Sequence, residues 1–170
     1  MTVAVETGLW QLDPSASTVV LQHRTMWGLV NVKGTFNGVA GQGEVASDGT
    51  ASGTITLDVA SLDTKNGKRD THLRSADLFD AANHPEITFV ADRAEPGEDG
   101  TVQVSGLLTV RGNSRPLSFP AKLTGADAGA IALNAEFVVD RAEFGMGWNQ
   151  LGMLRGLTTV TTTLRFTRAA

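Results

Sequence analysis

Residues able to hold a metal, move a proton or attack a carbonyl crowd into one stretch, Ser61 to Phe89. It holds His72 and His84, with Asp70, Asp77 and Asp80 beside them and Arg69, Arg74 and Ser75 between; the third histidine, His23, lies far upstream. Zinc needs three or four convergent ligands, and neither an HExxH-like pair nor another tight ligand spacing occurs, so no metal is expected. Asp70 and His72 are two residues apart and point in different directions on a helix, so they could meet as acid and base only on irregular backbone. Ser75 sits in no Gly-x-Ser-x-Gly elbow and has no evident oriented base. The glycines of Gly38-x-x-Gly41-x-Gly43 and Gly145-x-Gly147 lack the strand-to-helix setting of a nucleotide fingerprint and read as bends or bulges in strands. No catalytic residue is assigned. The competing reading is structural: Arg69, Asp70, His72 and Arg74 would tie the stretch to its neighbours by hydrogen bonds.

The elements that must position these residues are strands. Alternation of apolar and polar residues at period two, the mark of a strand with one buried face, recurs through most of the 170 residues. Ile55, Leu57 and Val59 alternate with Thr54, Thr56 and Asp58, and Val102, Val104, Leu108 and Val110 follow the same rule. So do Leu117 to Leu123, Ile131 to Val139 and Val160 to Phe166. Turn residues punctuate the runs at Gly38, Asp48-Gly49, Pro96-Gly97, Asp99-Gly100, Gly112-Asn113-Ser114 and Gly125 to Gly129. Connections this short join antiparallel neighbours. Runs over 9–13, 17–24, 28–37, 42–47, 53–60, 86–94, 101–111, 115–124, 130–140 and 157–167 predict eight or nine strands, depending on whether the first two are one bent strand. The expected architecture is all-β, an antiparallel lipocalin-like barrel of about eight strands whose lumen could take one elongated ligand, although a two-sheet sandwich fits the pattern almost as well. Residues 61–84 break the pattern as a short helical insertion. Asn66 is placed to cap a helix, Asp70 and Arg74 are at ion-pair spacing, and His84-Pro85 marks the return to strand.

Composition narrows the function classes. Fourteen Lys and Arg against eighteen Asp and Glu give a net charge of −4, without the basic footprint that nucleic-acid binding needs. The chain has no cysteine, hence no disulfide or thiol nucleophile. Residues 1–170 read as a single domain, since no linker, repeat or low-complexity run divides them. No window approaches the ~20 apolar residues that span a bilayer, so no transmembrane segment is expected. The start, MTVAVETGLWQLDP, has no signal-peptide pattern, which predicts a cytoplasmic protein; a trimmed periplasmic or secreted chain would look the same. Met26-Trp27-Gly28-Leu29, Met146-Gly147-Trp148 and Leu151-Gly152-Met153-Leu154 are apolar without clean alternation. They fit core under a long loop, a pocket entrance or wall, or a contact between two copies in a homodimer.

The order of short motifs closely resembles the YceI-like family of bacterial lipocalin-like barrels associated with polyisoprenoid binding. Trp10-x-Leu12-Asp13-Pro14-x-x-Ser17 opens the likeness, His23 and Gly34-x-Phe36 follow, and Ser61-Leu62-x-Thr64 precedes Arg69-Asp70-x-His72-Leu73. Phe79-Asp80, Pro85 and Phe89, then Gly106-x-Leu108-Thr109-Val110-Arg111-Gly112 and Asp140-Arg141-x-x-Phe144-Gly145-Met146, complete it. The resemblance implies no cofactor and no enzymatic activity, but non-covalent storage, carriage or sequestration of a long isoprenoid, such as a polyprenyl chain or a quinone tail. Alternatives are an enzyme working on an apolar substrate through Asp70 and His72, and a ligand-free interaction module. On this reading Val30, Val32, Phe36, Phe89, Val104, Leu108, Phe119, Leu133 and Phe137 line an apolar pocket, together with Met146 and Trp148. Leu73, Leu78 and Phe79 close one end. His23, Arg69, Asp70 and His72 contact a ligand head group or are structural.

Overall fold

The computed structural model describes residues 7–24, 31–65, 67–74, 79–126, 129–140 and 157–168. The first two strand segments, β1 (Gly8–Leu12) and β2 (Thr18–Arg24), are halves of one bent strand. Between them Pro14–Ala16 make a 3-10 turn that Asp13 caps, its carboxylate accepting the Ser15 N–H at 3.0 Å and the Ser15 hydroxyl at 2.7 Å. Proline suits the first position of such a turn because it has no N–H to leave unpaired. The bend is pinned from the far end of the chain. Asp13 N–H donates to the Arg165 carbonyl at 2.7 Å, and Arg165 N–H donates to the buried Ser17 hydroxyl at 3.0 Å. The Trp10 to Ser17 motif is thus the chemistry of one strand bend.

Two more strands bend in the same way. β3 (Asn31–Phe36) continues into β4 (Val39–Val45) through Asn37-Gly38, where Gly38 N–H donates to the Ser61 hydroxyl at 2.9 Å. A side chain at Gly38 would start only 2.9 Å from Asp58 Cβ, so the crossing requires glycine. β5 (Ala51–Asp58) continues through the turn Val59–Ser61 into the two-residue β6 (Leu62–Asp63), with Asp58 accepting the Ala60 N–H at 3.0 Å. A helix, α1 (Gly67–Arg74), follows, and then the long strands β7 (Glu86–Pro96), β8 (Thr101–Val110), β9 (Asn113–Ala126), β10 (Ala130–Asp140) and β11 (Leu157–Arg168).

Every pairing is antiparallel, in the order β1-β4-β5-β7-β8-β9-β10-β11, with β11 returning to β1 at Leu12–Phe166. β2, β3 and β6 extend the three bent strands from β11. Eleven segments therefore make a closed barrel of eight strands, and closure removes the sheet edges that a sandwich would leave exposed. The inner face is apolar, with Trp10, Leu12, Val19, Phe36, Val59 and Leu62 among its most buried residues.

The sequence reading needs three corrections in detail. The strand expected over 42–47 runs Val39–Val45, because its inward positions include Gly41 and Gly43, which carry no side chain to show the alternation. The 61–84 insertion is partly barrel wall, since Leu62 and Asp63 pair with Phe36 and Thr35. The expected Asp70–Arg74 ion pair does not form: Asp70 turns to Thr64, and Arg74 Nη2 donates to the Leu62 carbonyl at 3.2 Å. Asn66, proposed as the helix cap, lies outside the described residues.

Candidate functional site

A cavity of about 260 Å³ runs inside the barrel. At one end it touches Val45 and Ala51, beside the β4–β5 turn; at the other it reaches Phe79, Val139 and Thr158. Its wall is almost wholly apolar. Among the described lining residues the charged side chain is Glu44, on an exposed position of β4 near one mouth. For scale, an apolar cavity of ~150 Å³ already stays dry and binds benzene.

The empty space follows from register. Gly43 lies opposite Gly53, Gly53 opposite Ala91, and Ala91 opposite Gly106. Four neighbouring strands thus contribute almost no side-chain volume at one level of the lumen. Their backbones also approach closely there. A Cβ on Gly53 would sit 2.5 Å from the Gln42 carbonyl oxygen, and one on Gly106 would run into that of Val90. A bulge at Asp92 in β7 falls beside this row, bending the wall at its thinnest part. Aromatics stand beside the row: Phe119 and Phe137 stack with ring centres 4.4 Å apart, and Phe89, whose ring tip lies over Gly106, leans on Phe119 at 5.6 Å. At the helix end the buried Phe79 meets Phe36 edge-on at 6.2 Å and seals that part of the lumen.

Of the residues proposed from sequence for the pocket, Phe36, Phe79, Phe89, Val104, Leu108, Phe119, Leu133 and Phe137 line this cavity. Val30, Leu78, Met146 and Trp148 lie outside the described residues, as do the side chains of Val32 and Leu73. Trp10, Ile55, Ile131, Val160, Leu164 and Phe166 also line it, and their inward alternation on neighbouring strands was the available signal. For Gly43, Gly53 and Ala91 there was none, because only strand pairing brings them into one row.

Of the polar group, Asp70 is buried, and its carboxylate accepts the Thr64 N–H at 3.0 Å and the Thr64 hydroxyl. Thr64 is itself buried, so Asp70 satisfies two buried donors as the chain leaves β6 for α1. Asp70 is not among the residues lining the cavity. The side chains of His23, Arg69 and His72 lie outside the described residues. His84 packs its ring against the Arg111-Gly112 turn, where a Cβ on Gly112 would meet it at 3.0 Å. Among the described residues no group of three His, Asp or Glu side chains is placed to hold a metal, and no helix is long and apolar enough to cross a membrane.

Family comparison agrees with the barrel fold. The YceI-like domain model matches residues 10–167. The chain belongs to the YceI-like family. Burkholderia cenocepacia BcnA superimposes with a TM-score of 0.81 at 21% identity, covering 91% of this chain and 98% of that one. A polyisoprenoid binding domain from Saccharophagus degradans, described as implicated in plant cell wall breakdown, gives 0.77 at 17% identity, covering 96% and 100%. The Campylobacter jejuni YCEI protein gives 0.75 at 22% identity, covering 84% and 88%. In sequence, a UPF0312 protein of Vibrio parahaemolyticus is 32% identical over 97 residues, 56% of this chain and 51% of the relative. The match thus spans about half the length of such curated relatives. At these identities the solved structures speak for the YceI-like barrel fold.

Proposed function

We propose that this YceI-like barrel binds a long isoprenoid, a polyprenyl chain or the tail of an isoprenoid quinone, non-covalently in its lumen. The supporting observation is the continuous apolar cavity of about 260 Å³ inside a closed barrel. The polyisoprenoid binding domain among its structural neighbours supports the same ligand class. An unbranched or methyl-branched hydrocarbon satisfies such a wall, which offers dispersion contacts and few polar partners. Burying one five-carbon unit could contribute on the order of 4 kcal/mol, at ~0.8 kcal/mol per carbon. The cost of ordering the chain must cancel much of that, since non-covalent complexes saturate near ~20 kcal/mol.

No observation favours the enzyme reading. A base at Asp70 would have to abandon both Thr64 bonds and cross to a lumen it does not line. The deciding experiment is extraction of the denatured protein with organic solvent, followed by mass spectrometry. The expected result is a stoichiometric isoprenoid when the host makes one. A blank extract together with no uptake of added polyprenol would sink the proposal.

A further inference from the structure

Between β9 and β10 the barrel wall is not joined along its whole length. Their ladder runs from Ala126–Ile131 to Ala121–Ala135 and stops. Beyond it, among the described residues, Asn113–Pro120 pairs with β8 and Glu136–Asp140 with β11, but not with each other. The cause is written in the sequence. Arg111 and Gly112 form a two-residue hairpin turn with φ of 53° and 74°, so Val110 and Asn113, which flank it, are a hydrogen-bonded pair. Bonded and non-bonded pairs alternate from there. By that count Leu107–Pro116 and Gln103–Pro120 are non-bonded positions, which lets the β8–β9 ladder pass both prolines intact. It also turns both proline nitrogens toward β10, where they have no N–H to offer.

The seam is apolar on its inner face and mixed on its outer one, where Ser118 and Glu136 stand exposed beside Pro116 and Val138. Inside it, Leu117, Phe119, Phe137 and Val139 all line the cavity. Outside, Val90, Leu107 and Pro116 stand in one cross-strand row, with Val90 and Leu107 at 42% and 40% exposure. Val138, across the seam, is 54% exposed. Along this stretch no β9–β10 ladder separates solvent from the apolar lumen face. The stacked Phe119–Phe137 pair stands across it, close to where the ladder ends.

We propose that this seam is the side entrance through which a long apolar ligand slides into the lumen, with Phe119 and Phe137 as the leaves of the door and Pro116 and Pro120 as the residues that keep the wall from closing. This rests on the lumen-binding reading above. The chain has no cysteine, so two introduced thiols can be bridged selectively. Ser118→Cys with Val138→Cys, tied by a flexible bis-maleimide, would close the seam. Lys122→Cys with Asn134→Cys, a pair within the intact ladder, is the control. The readout is the stopped-flow rate and final amplitude of N-phenyl-1-naphthylamine uptake. The expected result is at least tenfold slower uptake in the bridged seam variant with unchanged amplitude, and no change in the control. A second variant, Pro116→Thr with Pro120→Val, restores both N–H donors and is expected to slow uptake in the same direction without any reagent. Unaltered rates at normal amplitude in the bridged seam variant would overturn the entrance alone. No uptake by the unmodified protein would overturn the lumen reading and the entrance with it.

Discussion

At the scale of single residues, the charged stretch after β6 works as a fastener. Asp70 holds Thr64 through two hydrogen bonds in a buried setting, and bonds to a charged acceptor are worth ~1.5–3 kcal/mol each. Asp70→Ala should therefore lose on the order of 3 kcal/mol or more in chemical denaturation, with Asp70→Asn losing less because both bonds go to one oxygen, Oδ1, and an amide oxygen in its place can still accept them. Ligand uptake by the folded fraction should be unchanged in both, and a selective loss of uptake at full stability would return Asp70 to the site. Three exposed carboxylates act on turns in a milder way. Hydrogen bonds from Ser15 to Asp13, from Thr50 to Asp48, and from Lys65 to Asp63 each hold the carboxyl below its ordinary 3.8. A folded value below the unfolded one means stability that is complete above about pH 4–5 and is lost as pH falls through the depressed values. Denaturation midpoints should therefore be level from neutral pH down to about 5 and drop below 4, and the Asp13→Asn, Asp48→Asn, Asp63→Asn triple variant should show a shallower drop. A triple variant that follows the same acid curve would show that these turns do not matter.

At the scale of elements, the barrel depends on positions where a strand lacks a side chain. Gly53 and Gly106 stand where a Cβ would strike a neighbouring carbonyl oxygen, so Gly53→Ala and Gly106→Ala should each destabilise despite the usual gain from replacing glycine in a strand. The expected loss is ~1–3 kcal/mol, the range for overpacking, against near neutrality for Gly129→Ala, whose surroundings are open. Equal midpoints for all three would mean that the wall is not as tightly bent as it stands here. This dependence also explains what could be read from the chain. Long strands such as β10 and β11 announced themselves because every inward position is apolar or threonine. Two segments of the bent strands did not, since Gly41 and Gly43 erase the alternation in β4 and the two residues of β6 are too few to show a period. Seven of the pocket residues were legible as inward members of strands, and the eighth, Phe79, as part of the insertion that closes one end. The bend chemistry of Ser17 and the glycine row were not, because each joins residues that only strand pairing brings together, nor was the clasp of Asp70 on Thr64, which depends on the path the chain takes from β6 into α1.

At the scale of the whole molecule, a barrel this size must choose between a filled core and a lumen, and the row from Gly43 to Gly106 makes the choice. A leucine in place of Ala91 separates the two cases. Ala91 faces the lumen in the middle of that row, between Gly53 and Gly106. In a filled interior the three added carbons would have no room and would cost ~1–3 kcal/mol. Projected into an apolar void they gain contacts instead, and each buried carbon is worth ~0.8 kcal/mol, so Ala91→Leu protein freed of ligand should be as stable as the parent or more so. The same carbons occupy space that a ligand needs. Uptake of N-phenyl-1-naphthylamine or a polyprenol should accordingly fall, and so should the ligand-induced rise in denaturation midpoint, which for the parent approaches ~2.7 kcal/mol at a hundred times the dissociation constant. Measuring both quantities on one variant gives the test its force. A destabilised Ala91→Leu that still takes up ligand normally would mean that the cavity is core and that binding occurs elsewhere. Gained stability with lost uptake would identify the space that closure leaves empty as the site itself.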